Sequence, residues 1–176
     1  MSDVMGSGDA SPAGSQIDAG GRAPGLTFSD ARDLYQDIIL RHSRTPTHMR
    51  KLHPFDASAS GDNPMCGDRC EVRLRFGENG SLHQVAFDGR GCAISMASAD
   101  LMAETVQGRS PASARRLAAD FTKLVRSGAT DSTDPAIETL RPLSGVAEYP
   151  SRVKCATLPW AALIAALDGV RETSSE

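Results

Sequence analysis

The chain has 176 residues, of which 40% are hydrophobic and 23% are charged, and its formal net charge is −3. These values fit one soluble globular domain with a single core, with or without a tail. The slight acidity excludes nucleic-acid binding driven by bulk charge, and no apolar run approaches the roughly 20 residues that cross a bilayer. We therefore expect neither a nucleic-acid partner nor a membrane partner.

The first part of the chain predicts a tail, a helix and a loop. Residues 1–26 are rich in Gly, Ser, Ala and Asp, which is typical of a disordered tail. Apolar residues then recur at helical spacing from Phe28 to the break at Thr45-Pro46. Residues 45–65 contain several prolines, so we expect mostly loop there, with a short edge strand around residues 55–60.

An alternating pattern predicts a hairpin in the middle of the chain. Between Cys70 and Phe76 every second residue is apolar and the residues between are charged, which indicates a half-buried strand. The turn Gly77-Glu78-Asn79-Gly80 leads to a partner strand over residues 82–87. Because Cys70 shares the apolar face of its strand, we interpret it as an ordinary core residue.

Helices dominate the second half of the chain. Helical spacing predicts one helix over about residues 94–107, another from Pro111 to a stop at Gly128, and a last one that follows Cys155. Residues 129–144 indicate a loop with one short helix, and residues 171–176 a frayed end. This order favours an α+β fold with helices packed on one face of an antiparallel sheet, as a single domain over residues 27–170.

Three of the four cysteines occupy positions that suit chemistry better than core packing. Cys66 lies in a Pro/Gly loop, Cys92 follows two glycines before a helix, and Cys155 is predicted to precede the last helix. A helix N-terminus favours a thiolate over a thiol. No secretory signal is recognisable, so we expect a cytoplasmic protein in which cysteines stay reduced and bind metal or react.

These thiols and one nearby carboxylate form a candidate zinc site. Its four members are Cys66, Asp68, Cys92 and Cys155. No pair has the Cys-x-x-Cys spacing of a zinc ribbon, so the tertiary fold would have to assemble the site. Buried core thiols remain the alternative interpretation, since free cysteine is among the most buried residue types.

Neighbouring residues suggest how such a site could be supported. Arg152 and Lys154 precede the last cysteine, where their charge would offset that of the thiolates and attract an anionic partner or a persulfide. His42 lies on the inner side of the first helix and could face the site. A hydrogen-bonded, partly buried role for His42 is the preferred interpretation.

Three blocks of sequence resemble, in order, the signature blocks of the U-type iron–sulfur scaffold family, the IscU and NifU N-terminal-like proteins. The blocks span residues 63–69, 89–98 and 149–160, and residues 34–42 resemble the first helix of that family. Within the family the chain is similar to the SufU branch. Lys154 stands where the IscU branch has a histidine, and the interval from Cys92 to Cys155 is long, as in SufU.

The resemblance implies an α+β fold with a three-stranded antiparallel sheet and zinc held by Cys66, Asp68, Cys92 and Cys155. It also implies partnership with a pyridoxal-phosphate cysteine desulfurase of the SufS type and with other Suf cluster-assembly proteins. We expect Cys66 to accept persulfide sulfur, because its loop can swing out, with Cys155 as the second choice. Two alternatives stay open: a scaffold for a transient [2Fe–2S] cluster, and a structural zinc domain that binds a partner.

Overall fold

The computed structural model describes residues 28–174, so the predicted tail over residues 1–26 lies outside the described residues. The elements follow one another as helix, three strands, helices and a last short strand. Their bounds are α1 Phe28–Arg44, β1 Ala57–Asn63, β2 Asp68–Phe76, β3 Leu82–Arg90, α2 Ala93–Val106, α3 Pro111–Ser127, α4 Ala136–Leu140, a 3-10 helix Arg141–Glu148, α5 Pro150–Leu167 and β4 Glu172–Ser174.

The sheet has four strands in the order β3-β2-β1-β4. The contacts β1–β2 and β2–β3 are antiparallel, whereas β4 runs parallel to β1, from Ser60 opposite Glu172 to Asp62 opposite Ser174. The α+β class is confirmed, but the three-stranded antiparallel sheet is wrong, and residues 172–174 form a strand rather than a frayed end. The reason is that the chain turns after α5 at Gly169, whose φ is +72°, and covers the edge that β1 would otherwise expose.

The predicted alternation in β2 is confirmed. Asp68, Cys70, Val72 and Leu74 are buried, while the residues between them are partly or fully exposed. β1 is longer than the expected edge strand and lies inside the sheet. Its small residues allow α5 to pack closely, because a Cβ at Gly61 would lie only 2.9 Å from Cδ1 of Leu158.

The helices build the core around one aromatic pair. The rings of Phe121 in α3 and Trp160 in α5 stack with centroids 4.7 Å apart, and both side chains are buried. The indole N–H of Trp160 donates to Oγ of Ser98 in α2 at 3.2 Å, so a buried polar atom in this apolar region is paired. The stack joins α3 to α5, and the indole hydrogen bond joins α5 to α2.

The structure confirms the limits of α3 and corrects those of α5. Ser110 caps α3 and Gly128 ends it with a φ of +78°. In contrast, α5 begins at Pro150, so Cys155 lies inside the helix rather than before it. The apolar spacing is visible only from Trp160 onward, whereas Pro150 starts the helix in a first turn where its missing N–H costs nothing.

Candidate metal centre

The hairpin between β1 and β2 presents Cys66 and Asp68 differently. Cys66 lies in the connecting loop, where Gly67 has a φ of +68° and its N–H donates to the carbonyl of Asn63 at 2.9 Å. Cys66 is exposed, whereas Asp68 is the first residue of β2 and is 2% exposed. The thiol therefore lies on an exposed turn, and the carboxylate is fixed by the sheet.

Cys92 is the N-cap of α2 and contacts the same carboxylate. Its backbone N–H donates to Oδ1 of Asp68 at 3.1 Å, and its Sγ lies 3.9 Å from Oδ2. Gly91 makes this approach possible, because a Cβ there would lie 3.0 Å from Oδ1 of Asp68 and from the Ser95 side chain. The expected position of Cys92 at a helix start is confirmed.

The donor atoms of Cys66, Asp68 and Cys155 lie within 4.8 Å of one another. The Sγ atoms of Cys66 and Cys155 are 3.6 Å apart. In a tetrahedral zinc site with bonds of about 2.3 Å to sulfur and about 2.0 Å to oxygen, two sulfurs are about 3.8 Å apart and a sulfur and an oxygen about 3.5 Å apart. Three of the four sequence-predicted ligands thus form one group whose spacing is compatible with zinc. Cys92 is not part of that group, and its Sγ lies 3.9 Å from Oδ2 of Asp68.

Cys155 is enclosed inside the protein. Burial raises the pKa of its thiol far above the ordinary value, and hydrogen bonding to Asp68 and Cys66 raises it further. The expectation that a helix start would favour the thiolate is therefore wrong for Cys155, because the residue lies in the second turn of α5 and away from solvent. A bound cation would supply the missing stabilisation of the thiolate.

Arg152 lies one turn before Cys155 in α5 and faces the same thiols. The negative charge of Cys92 is the main reason why the pKa of Arg152 is raised, and hydrogen bonding to Cys92 and Cys155 adds to it. Arg152 is exposed, so its guanidinium lies at the rim of the site. Lys154 is partly buried, and its backbone carbonyl accepts a hydrogen bond from Oγ1 of Thr157 at 3.4 Å, whereas its ammonium group forms no ion pair with the residues that the structure describes.

The other cysteine and the first-helix histidine lie outside this group, as the sequence indicated. Cys70 is buried in the core between its neighbours on β2, and burial, followed by the charges of Asp88 and Glu71, raises its pKa to about 12. The preferred role of His42 is confirmed: its Nδ1 lies 2.6 Å from Oδ2 of Asp100, and the side chain is partly buried.

Sequence reasoning missed two buried polar residues. Asp100 is fully buried in α2 and binds His42 and His48, whose Nδ1 lies 3.1 Å from Oδ1. Asn63 is 1% exposed and its Nδ2 lies 3.9 Å from Sγ of Cys155. The acidic Asp100 directly before Leu101 and Met102 in a predicted helix is a signal that could have found the first residue, whereas no local pattern indicates the burial of Asn63.

No helix in the described part of the chain is both long enough and apolar enough to cross a membrane. The family described as the NifU-like N terminal domain matches residues 34–156. That segment includes all four residues of the candidate metal centre.

Similar proteins with names and solved structures cover most of the chain. The iron–sulfur cluster assembly scaffold protein IscU of Streptococcus pyogenes is 35% identical over 138 residues, which is 78% of this chain and 85% of that protein. The zinc-dependent sulfurtransferase SufU of Bacillus subtilis is 34% identical over 130 residues, which is 74% of this chain and 86% of that protein. A crystal structure from Fervidobacterium islandicum, assigned as a cluster assembly scaffold for the SUF system, is 29% identical with a TM-score of 0.67 and covers 77% of this chain and 98% of its own.

Proposed function

This chain belongs to the NifU-like N-terminal domain family and is an iron–sulfur cluster assembly protein of the IscU/SufU type, and within that type we propose that it is a zinc-bound sulfur acceptor. It takes persulfide sulfur from a pyridoxal-phosphate cysteine desulfurase of the SufS type and passes it to Suf cluster-assembly proteins in the cytoplasm. The observation that carries the proposal is the pair of sulfurs of Cys66 and Cys155, 3.6 Å apart beside Asp68, of which only Cys66 is exposed.

Four residues would hold zinc: Cys66, Asp68, Cys92 and Cys155. When bound, zinc keeps thiols deprotonated near neutral pH and is redox-inert. Asp68 is fixed by β2 and by the N–H of Cys92, and Cys155 is enclosed in α5. These contacts would retain three donors while the exposed Cys66 side chain turns outward from its anchored loop.

The reaction is a thiol exchange at the outer sulfur of the persulfide. The Sγ of Cys66 forms a bond to that sulfur, the sulfur–sulfur bond of the desulfurase persulfide breaks, and the desulfurase thiolate leaves. The product is a persulfide on Cys66, so electrons and atoms balance without an added oxidant. Arg152 at the rim offsets the negative charge of the thiolates and attracts the anionic persulfide.

Peptide mapping tests this assignment directly. The protein is incubated with desulfurase and cysteine, alkylated, digested and analysed by mass spectrometry, with Cys70→Val as the matched control outside the site. We expect the persulfide on Cys66, in the control as well as in the natural chain. A Cys66→Ser variant that still stimulates the desulfurase at the normal rate, or a persulfide on Cys155 alone, would contradict the assignment of Cys66.

The second candidate function is a scaffold for a transient [2Fe–2S] cluster. The same sulfur-rich donor set suits iron–sulfur chemistry, and the similar Streptococcus pyogenes protein bears the name of a scaffold. Beside Cys155 the chain has Lys154, whose ammonium group does not bind metal, where the IscU branch has a histidine. This difference favours the sulfur-acceptor function. Anaerobic incubation with iron, cysteine and desulfurase discriminates: a stoichiometric cluster that transfers to an apo-protein supports the scaffold. A structural zinc domain that binds a partner is the third candidate function. Such a domain would have a closed site with unreactive thiols, and the exposure of Cys66 argues against this.

A further inference from the structure

Asn63 is a buried polar residue that touches two of the candidate ligand segments. It is the last residue of β1, pairs across the hairpin with Asp68, and is 1% exposed. Its Nδ2 donates to Sγ of Cys155 with a nitrogen–sulfur distance of 3.9 Å, and its Oδ1 accepts the N–H of Met65 at 3.2 Å. Both ends of the amide are therefore paired, as buried polar groups require, and one side chain connects the loop of Cys66 to the sulfur of Cys155.

In the loop between β1 and β2, Asn63 holds the residues on either side of Cys66. Its side-chain oxygen forms an Asx turn with Met65, and its backbone carbonyl accepts the N–H of Gly67. The residue between them, Cys66, is exposed. The loop is thus anchored on both sides of the thiol that we expect to move.

On the helix side, Asn63 gives Cys155 a donor that Cys66 lacks. An amide N–H that points at a sulfur stabilises the thiolate and lowers its nucleophilicity. Among the described residues, no amide N–H donates to the sulfur of Cys66, whose one hydrogen-bond partner is the thiol of Cys155. The two neighbouring sulfurs therefore differ in their hydrogen bonding as well as in their exposure.

We propose that Asn63 is a positioning residue that decides which of these two sulfurs reacts: its amide retains Cys155 as a ligand and leaves Cys66 as the sulfur that departs. The inference rests on the proposed sulfur-acceptor function. It adds to that function a reason, internal to this chain, why two thiols at the same site do not compete for the persulfide.

Two variants separate the two hydrogen bonds of Asn63. Asn63→Ser and Asn63→Ala both remove the donor to Cys155, but serine keeps an oxygen that can accept the N–H of Met65. Asn79→Ser is the matched control, because Asn79 is exposed and its Oδ1 accepts the N–H of Ser81 in a turn of the same kind at 3.1 Å. Circular dichroism and zinc content establish that each variant is folded and loaded.

The experiment measures the alkylation rate of each cysteine. The zinc-loaded full chain is treated with iodoacetamide, and labelled peptides are quantified over time by mass spectrometry. We expect Cys66 to react ahead of Cys155 in the natural chain. In Asn63→Ser the rate at Cys155 relative to Cys66 should rise about three- to tenfold, as expected for the loss of one weak hydrogen bond to sulfur. Asn63→Ala should in addition accelerate Cys66, and Asn79→Ser should change neither rate.

The possible results test the role of Asn63 and the proposed sulfur-acceptor function separately. An unchanged ratio in Asn63→Ser, equal acceleration of both thiols, or prior labelling of Cys155 in the natural chain would each overturn the role of Asn63. The last of these does not depend on any variant being folded. A natural chain that binds no zinc would contradict the proposed function instead, and the same labelling of the metal-free protein would still test the effect of Asn63 on Cys155.

Discussion

Gly89 lies in β3, beside the strand that begins with Asp68 and three residues before Cys92, and its replacement by alanine tests the packing beneath the site. Gly89 has a φ of +156° and pairs with Cys70 across β2 and β3. A Cβ at this position would lie 2.1 Å from the backbone oxygen of Arg69 and 3.0 Å from its carbonyl carbon. Because the obstructing atoms are backbone, no side-chain rotation can relieve the contact.

The magnitude of the effect follows from these distances. Carbon–oxygen contacts are comfortable at about 3.3 Å or more, so β2 and β3 must separate by about 1 Å. A non-glycine residue in a sparsely populated backbone region costs about 1–3 kcal/mol, and overpacking costs a similar about 1–3 kcal/mol. We expect Gly89→Ala to lower the free energy of unfolding by about 3–5 kcal/mol, a large part of the about 5–15 kcal/mol of a typical domain.

The assay combines urea unfolding with metal analysis of the same preparation. Separation of the strands also moves Asp68 away from the N–H of Cys92, so zinc content should fall together with stability. Gly145→Ala is the control, because its φ is not in the left-handed region and nothing lies within 4 Å of the added Cβ, so its effect should stay within about 0.5 kcal/mol. A Gly89→Ala protein that loses less than about 1 kcal/mol and keeps its zinc would refute this reasoning.

Three further predictions concern residues outside the metal centre. Cys70→Val should change the free energy of unfolding by less than about 1.5 kcal/mol. In the natural chain Cys70 should resist iodoacetamide at pH 8, because burial raises its pKa to about 12. Rapid labelling of Cys70 in the folded protein would contradict this. Asp100→Ala leaves the rings of His42 and His48 and the backbone N–H of His48 without their acceptor. Urea unfolding should therefore show a free energy of unfolding that is lower by about 3–5 kcal/mol. A decrease below about 1 kcal/mol would count against a stabilising role for this buried polar cluster. Hydrogen bonding to Arg109 lowers the pKa of Asp134. The stability that Arg109→Met removes should therefore be fully present above the pKa of a carboxyl in the unfolded chain, about 4, and should vanish as the pH falls through the lower pKa of Asp134 in the folded chain. A stability difference between the natural chain and Arg109→Met that does not change with pH would rule this out.

The sequence predicts those elements whose signals are local. The hairpin of β2 and β3 follows from an alternation of period two, and α3 follows from a cap at Ser110 and a stop at Gly128. β4 could not be predicted, because a three-residue strand exists only through its distant partner β1. The start of α5 was missed because its first turns carry no apolar stripe, and with it the environment of Cys155.

In the candidate site, too, local signals predict some residues and not those that depend on contacts with distant parts of the chain. Residue types and the glycines beside Cys66 and Cys92 indicate chemistry, and the structure brings three of the four candidate ligands together. The contributions of Asn63 and Asp100 depend on burial and on partners tens of residues away in sequence, 92 residues in the case of Asn63 and Cys155. No local pattern specifies such pairs, because they are created by the packing of α5 against β1 and of α1 with its following loop against α2.

Metal analysis of the purified protein, with thiol counting before and after chelation, tests the metal centre most directly. We predict close to one zinc ion per chain and, on chelation, newly reactive thiols at Cys66 and Cys92, with the buried Cys155 reacting more slowly and Cys70 staying unreactive. A folded chain without metal, or one whose three thiols react at the same rate before and after chelation, would contradict the account.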